Sequence, residues 1–299
     1  MNTREGKAPA VSIAMPVRNG ESHLLEAVNS LLSQTFDDFE LLVSDNASTD
    51  GTAKLLADIA ASDQRVHVVQ QPKPLPAIEN FNLLLRRAQG EYFMWAAHDD
   101  IWEPTFVERA VALLEADPRA VMAFSGFANV GPKGREAVVR RYNASPAFAS
   151  TDRVERLTQF IRNDERDGKA NLIYALFRRE RLRAAGGMVS WGVGDWACDM
   201  LTVFRLLVEG SLALEQDTLF HKRVSAAEEA WIRSPARQHV PPRELPAWNG
   251  YLLGYLRIAL GCRLTAHERR SIAAAALKKL AVTDLEAGLR LARRAIGKG

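Results

Sequence analysis

The chain has 299 residues, 47% hydrophobic and 25% charged, the balance of a globular protein with enough apolar material for a sizeable core. Its net charge of +3 is not gathered into a Lys/Arg block, which argues against nucleic acid as a partner and suits handling of diphosphates or contact with an anionic membrane surface. Cys198 and Cys262 have no neighbours at metal-ligand spacing and read as reduced thiols; with no signal-like apolar stretch at the start and no run near ~18 apolar residues, the expectation is a cytoplasmic protein without a spanning helix.

The first half alternates strand and helix signals. Val11–Met15 is a short apolar run closed by Pro16, Asn19 and Gly20, and Leu24, Leu25, Val28, Leu31 and Leu32 then recur at helical spacing. Phe39–Val43 is a second strand, stopped by the polar run 44–51. A helix from Thr52 to Ala61 and a strand from Arg65 to Val69 follow. Pro72, Pro74 and Pro76 hold an extended loop before a helix over 78–88. Glu91–Ala97 is a strand opening into His98-Asp99-Asp100-Ile101-Trp102, followed by a helix over 105–115 and a strand over 120–124. This alternation predicts right-handed βαβ units and a mostly parallel sheet covered on both faces.

The second half is more mixed. Gly131–Gly134 reads as a hairpin tip, 152–161 as a helix, 170–177 as a short strand, and 199–208 as a helix reached through a Gly- and Trp-rich loop. Beyond Pro241-Pro242 the spacing predicts three amphipathic helices over 251–260, 267–281 and 284–296.

Ligands in open α/β sheets bind outside the carboxyl ends of the strands. Three acidic clusters fall near such ends: Asp45 with Asp50, the pair Asp99-Asp100, and Asp195 with Asp199. Asp45 and Asp50 also read as a polar turn with a helix cap. Asp99-Asp100 is a stronger signal, because adjacent carboxylates after an apolar strand repel unless a cation is bound or one is protonated. Mg²⁺ or Mn²⁺ resolves the conflict, since these ions use one or two carboxylates plus substrate phosphates. No Gly-Lys-Ser/Thr loop and no G-x-G-x-x-G follow the first strand, which excludes the P-loop and dinucleotide cradles.

With these residues in view, the chain resembles the family 2 glycosyltransferases, an inverting class with a GT-A fold. The matching segments are 11–19, 27–36, 39–52, Asn80-Phe81-Asn82, 88–92 and 96–104, in the family's order and spacing over about residues 10–125. The resemblance implies an α/β GT-A architecture, Rossmann-like, with a nucleotide-sugar-binding half (1–125), an acceptor-binding and catalytic-base half (126–240) and a helical C-terminal extension (241–299). It implies transfer of a sugar from a nucleoside diphosphate donor to a carbohydrate or lipid-linked saccharide acceptor, in assembly of a bacterial surface polysaccharide.

Carried across by position, Pro16 and its neighbours line the nucleobase pocket and Asp45 binds the base, typically uracil. Asn19, Asn82 and Lys73 join the donor-binding set, although Lys73 also reads as a solvated surface lysine. Asp99 and Asp100 stand where the family's D-x-D ends, touching ribose, metal and diphosphate; the first acid of that motif falls on Ala97. The family's base register, with an Arg six and a Gly eleven residues on, fits Asp199 with Arg205 and Gly210, and Asp195 is the reserve. His221 is the one histidine near a second metal-binding position, His98 stands beside the carboxylate pair, and Trp102, Trp191 and Trp196 flank the expected loops. The basic, Leu/Ala-rich tail reads either as a peripheral membrane contact on the inner face or as helices packed on the core or in a homodimer. Two rival readings are a sugar-1-phosphate nucleotidyltransferase, which wants a glycine run that 15–20 lacks, and a non-catalytic nucleotide-sugar-binding relative, favoured by Ala97.

Overall fold

A computed structural model describes residues 8–190, 195, 197–234 and 244–296. Trp191 and Trp196 lie outside them. The first half forms β1 (Val11–Val17), α1 (Leu24–Leu32), β2 (Phe39–Asp45), α2 (Thr52–Ser62), β3 (Val66–Gln70), α3 (Ala77–Arg87), β4 (Tyr92–Trp95), β5 (Ile101–Trp102), α4 (Phe106–Ala116) and β6 (Ala120–Val130). β1 pairs in parallel with β2 and β4, and β2 with β3. β2 is buried along its whole length and shows no alternation, because helices cover both faces of the sheet. Pro16 sits in a central strand without breaking it: β4 ends opposite Ala14, so the missing N–H falls beyond the ladder on that side.

The second half comprises β7 (Val138–Tyr142), α5 (Arg153–Arg162), β8 (Leu176–Arg178), α6 (Arg179–Ala184), α7 (Cys198–Glu209), β9 (Ser211–Arg223), α8 (Ala226–Arg233), α9 (Leu245–Gly261) and α10 (Ala266–Ile296). The sheet order is β3-β2-β1-β4-β8-β6-β9-β5, with β7 hairpinned onto β6 around the predicted glycine tip. β6 and β9 are parallel, while β8 and β5 join in antiparallel sense. The expected α/β GT-A architecture, with its largely parallel sheet and helical C-terminal region, is present.

Four local readings change. The apolar run 170–177 is a strand only over β8; Lys169–Tyr174 is a 3₁₀ turn, held because the buried Lys169 ammonium donates to the carbonyls of Phe160 and Asn163. Short apolar runs do not distinguish strand from tight helix by periodicity. β9, 13 residues long, was not anticipated: its ends are buried but Gln216 and Asp217 are exposed at a register shift, so no period-2 pattern survives. The C-terminal region has two helices where three were expected. Nothing breaks α10 at 282–283, because Thr283 stays helical and bonds back to the Lys279 carbonyl. The helix expected from residue 251 starts at Leu245, with Pro246 in its first turn, where its missing N–H costs nothing.

One apolar core runs from β1 through the aromatic cluster Phe124, Phe127 and Phe220 to Ile272 and Ala275 of α10. α9 and α10 are packed against it: Tyr255 meets Phe204 edge-on at 4.6 Å, and Lys279 donates to the Glu165 carboxylate. Each fully buried Leu, Ile or Phe stabilises by about 1.5–3 kcal/mol. No helix among the described residues is long and apolar enough to cross a membrane.

Candidate active site

The loops leaving β1 and β2 are tied together at the carboxyl end of the sheet. Asn19 takes a left-handed conformation (φ 53), donating its N–H to Ser48 Oγ and accepting from the Thr49 N–H at 2.8 Å. Asn tolerates that region better than most residues because its short side chain bonds locally. Asp50 takes the Glu21 N–H and the Thr52 hydroxyl, which keeps its carboxyl below the usual carboxylate range. Asn46 clamps Leu75 through two hydrogen bonds and so fixes the proline-rich loop. Lys73, in that loop, is exposed.

Asp45 is 1% exposed at the end of β2. Its Oδ1 accepts from the Ser48 N–H at 3.0 Å, but its Oδ2 is buried without a partner among the described residues. A buried acceptor left unpaired costs about 1–3 kcal/mol, so this oxygen is suited to a donor that a ligand brings. Asn82, by contrast, has no spare polar atom: its amide bonds both the N–H and the carbonyl of Met188. It holds the Gly187 turn against α3. Gly187 has φ 68, and a Cβ there would meet Asn82 Oδ1 at 2.4 Å, so only glycine fits.

The carboxylate pair after β4 divides into two environments. Asp100 is fully buried, ion-paired with Lys222 Nζ at 3.3 Å and bonded to the Arg223 N–H at 2.8 Å. Burial pushes its carboxyl up to about 7 while Lys222 pulls the other way, and the Lys222 ammonium, despite its own burial, is raised by that carboxylate. Asp99 is partly exposed, and its carboxylate makes no hydrogen bond or ion pair to the described residues. Arg223 fixes its backbone, donating from Nε to the Asp99 carbonyl at 2.9 Å and pairing with Glu26 at 2.6 Å. His98 packs over Gly20, where any Cβ would meet its ring at 2.7 Å, and burial lowers its pKa below the ordinary histidine value.

His221 is not brought into this carboxylate group. Its Nε2 meets Glu103 Oε1 at 2.6 Å, and its neighbour Lys222 takes the opposite face of β9 to reach Asp100. Among the described residues no three His, Cys, Asp or Glu side chains form a metal cage. The protein therefore offers a divalent ion the Asp99 carboxylate, with Asp100 enclosed behind it. That matches the habit of Mg²⁺ and Mn²⁺ of taking one or two carboxylates and completing the shell from substrate phosphates.

On the opposite wall, α7 begins after Ala197, itself left-handed at φ 61, and carries Asp199 in its first turn. Burial raises the Asp199 carboxyl to about 6, outweighing the Met200 N–H bond at 2.6 Å that stabilises the charged form. Asp195 is exposed, contributing its carbonyl to the Cys198 N–H. The two walls meet at Tyr174. Burial raises its phenol, which lies within electrostatic reach of Lys222, Asp100, Asp99 and Asp199, and the Lys222 ammonium stands 5.8 Å from its ring centre. Trp102 is fully buried against Phe220, which makes it a core residue and not a sugar platform. Lys222, Arg223 and Tyr174 were missed as site residues. The adjacent basic pair 222–223 was the signal that could have found two of them.

At its carboxyl edge the α/β sheet carries polar loops tied to one another, a buried acceptor unpaired among the described residues, and two carboxylates in separate surroundings. The "Glycosyl transferase family 2" model matches residues 12–180, and the chain belongs to that family. It is similar to the putative teichuronic acid biosynthesis glycosyltransferase TuaG of Bacillus subtilis, 29% identical over 126 residues, 42% of this chain and 50% of that one. It is also similar to the putative glycosyltransferase EpsE of Bacillus subtilis, 35% identical over 108 residues, 36% of this chain and 39% of that one. These alignments span half or less of each relative's length. In fold it resembles S. aureus TarS 1-349 in complex with UDP-GlcNAc (TM-score 0.60, 18% identity, 89% of this chain and 71% of that one). It also resembles the mannosyltransferase PcManGT from Pyrobaculum calidifontis in complex with GDP-Man and Mn²⁺ (TM-score 0.52, 20% identity, 97% and 81%).

Proposed function

We propose that the protein transfers a sugar from a UDP-sugar to an acceptor hydroxyl with inversion, in synthesis of a cell-surface polysaccharide. Residues 1–125 bind the donor, 126–240 supply the base and the acceptor surface, and 241–299 buttress them. Asp45 Oδ2 accepts the imide N–H of the base, with Pro16 and the Asn19 turn forming the pocket wall. The Asp99 carboxylate is the residue that would hold Mg²⁺ or Mn²⁺, and the rest of the ion's shell would come from the donor's phosphates. The ion, when bound, neutralises charge on the departing diphosphate. Asp100 takes no part in ligation; its ion pair with Lys222 and the Arg223 clamp hold the Asp99 backbone in place. Asp199 accepts the proton of the attacking acceptor hydroxyl.

The observation that carries this reading is Asp199, a carboxyl raised to about 6 by burial at the start of α7 and sharing the Tyr174 phenol's field with Asp99. A base must hold a proton affinity near the working pH and still be ionised there. Calorimetric titration of UDP with Mn²⁺, then with EDTA, tests the donor half on wild type and Asp99→Ala. Metal-dependent binding lost in the variant supports it; no UDP binding under either condition removes the UDP-sugar donor.

A further inference from the structure

At the end of α7 remote from Asp199, an open cleft of about 570 Å³ lies where the start of α5 meets the α9–α10 junction. Thr151, Arg153, Arg156, Arg263, Thr265 and Glu268 line it. Eight residues of helix separate Asp199 from Leu207, roughly 12 Å at about 1.5 Å per residue, so this cleft is distinct from the donor crevice.

Arg156 is 4% exposed and anchored from behind. Its Nε donates to the Leu207 carbonyl at 2.9 Å and its Nη1 to the Ser150 carbonyl, while Nη2 makes no hydrogen bond to the described residues. Burial draws its pKa down to about 10, the cost of enclosing a cation that has no ion-pair partner among the described residues. Asp152, nearby, is committed through Oδ1 to the N–H groups of Val154 and Glu155. Arg153 shares Glu268 at 3.3 Å, but the other oxygen of that carboxylate is held by the Thr265 N–H at 2.6 Å. Arg263 is exposed, and its side chain makes no hydrogen bond or ion pair to the described residues. Three guanidinium groups thus face a single, divided carboxylate.

We propose that this cleft binds a phosphoryl group, seated on Arg156 Nη2 and closed over by Arg153 and Arg263. Planar guanidinium forks match phosphate oxygens in pairs, and a buried uncompensated cation gains most from a compact dianion. The phosphate belongs either to a free phosphorylated metabolite or to a lipid headgroup. Leu260, three residues before Arg263, is an apolar side chain 74% exposed to solvent.

The test uses the full chain with its donor crevice filled by saturating UDP and excess Mg²⁺, and inorganic phosphate and pyrophosphate as calorimetric probes. Flotation with phosphatidic acid vesicles, against phosphatidylcholine vesicles, forms a second arm. Arg156 is left intact because it ties α5 to α7; the variant is Arg153→Ala with Arg263→Ala. Saturable binding of either anion that weakens about tenfold or more in the variant, with UDP affinity unchanged, is expected, since both removed guanidinium groups offer charge-assisted hydrogen bonds. Flotation that pyrophosphate competes away, and that the variant loses, assigns a headgroup; anion binding without flotation assigns a soluble phosphate. Absence of binding to all three probes, or equal binding by wild type and variant, overturns the proposal. Because UDP binding is read separately, failure here leaves the donor site standing, and failure there leaves this one.

Discussion

The two walls of the active site are built by opposite strategies. On the β1–β2 side, polar groups are satisfied by loops close to one another: Asn19 by Ser48 and Thr49, Asp50 by Thr52 and Glu21, Asn46 by Leu75. On the β9–α7 side, contacts span long stretches of chain: Lys222 to Asp100 across 122 residues, Arg223 to Glu26 across 197, and Asn82 to Met188 across 106. The first wall is a preformed cradle whose shape depends on short-range turns. The second exists only when the whole sheet has closed, and it carries the buried Asp100–Lys222 ion pair. A reaction that needs a fixed donor and a tuned base is served by that division.

The largest effect expected on the second wall is chemical. Asp199→Asn lowers kcat by roughly 10²–10⁴-fold, the usual contribution of a general base. In wild type, kcat/KM rises with pH through about 6 and then levels, because the carboxyl must lose its proton to act; the variant loses that limb. A pH profile of turnover checks both, and an unchanged limb would move the base elsewhere.

Next comes Lys222→Met, which strands the Asp100 carboxyl in the core. A broken buried pair costs about 3–5 kcal/mol, read by denaturant unfolding at pH 8. The folded-state pKa of Asp100 lies above its unfolded value, so the folded form binds the proton more tightly. The destabilisation therefore grows as pH rises through about 7 and shrinks toward pH 5. Lys222→Met with Asp100→Asn recovers much of the loss.

On the first wall, Asp45→Asn keeps the oxygen that serves Ser48 but replaces the unpaired one with a donor. UDP affinity should fall by about 1–3 kcal/mol with thermal stability nearly unchanged, measured by calorimetry and by melting. Smallest of all, Asp195→Ala should leave kcat within about twofold, since its carboxylate is exposed to solvent. A large loss there would reverse the assignment between the two acids.

The candidate site was legible in the sequence where its chemistry is local. Asp45 and Asp99 follow apolar strands, so their places at the strand ends followed from period and turn residues, whereas the preference for Asp199 over Asp195 came from the family's base register. Their neighbours were not legible in the same way. Asp100 looked like a metal ligand because adjacency cannot show that one of two carboxylates turns inward to a lysine. His221 was a candidate by chemical type, yet strand alternation sends Lys222, not His221, to Asp100. Asn82 sat within a matching segment, but its amide is spent on the Met188 backbone.

The sequence by itself determined the parallel first half, because most strands and helices there are local patterns bounded by Pro, Gly, Asn or Asp. It also determined the helical character of the tail. Only the tertiary structure decided β9, the 3₁₀ turn before β8 and the continuous α10, since each depends on what a segment meets across the sheet or core. It alone decided which acids are buried, which are paired and which remain available, because a carboxylate's role is set by desolvation and by partners more than 100 residues away.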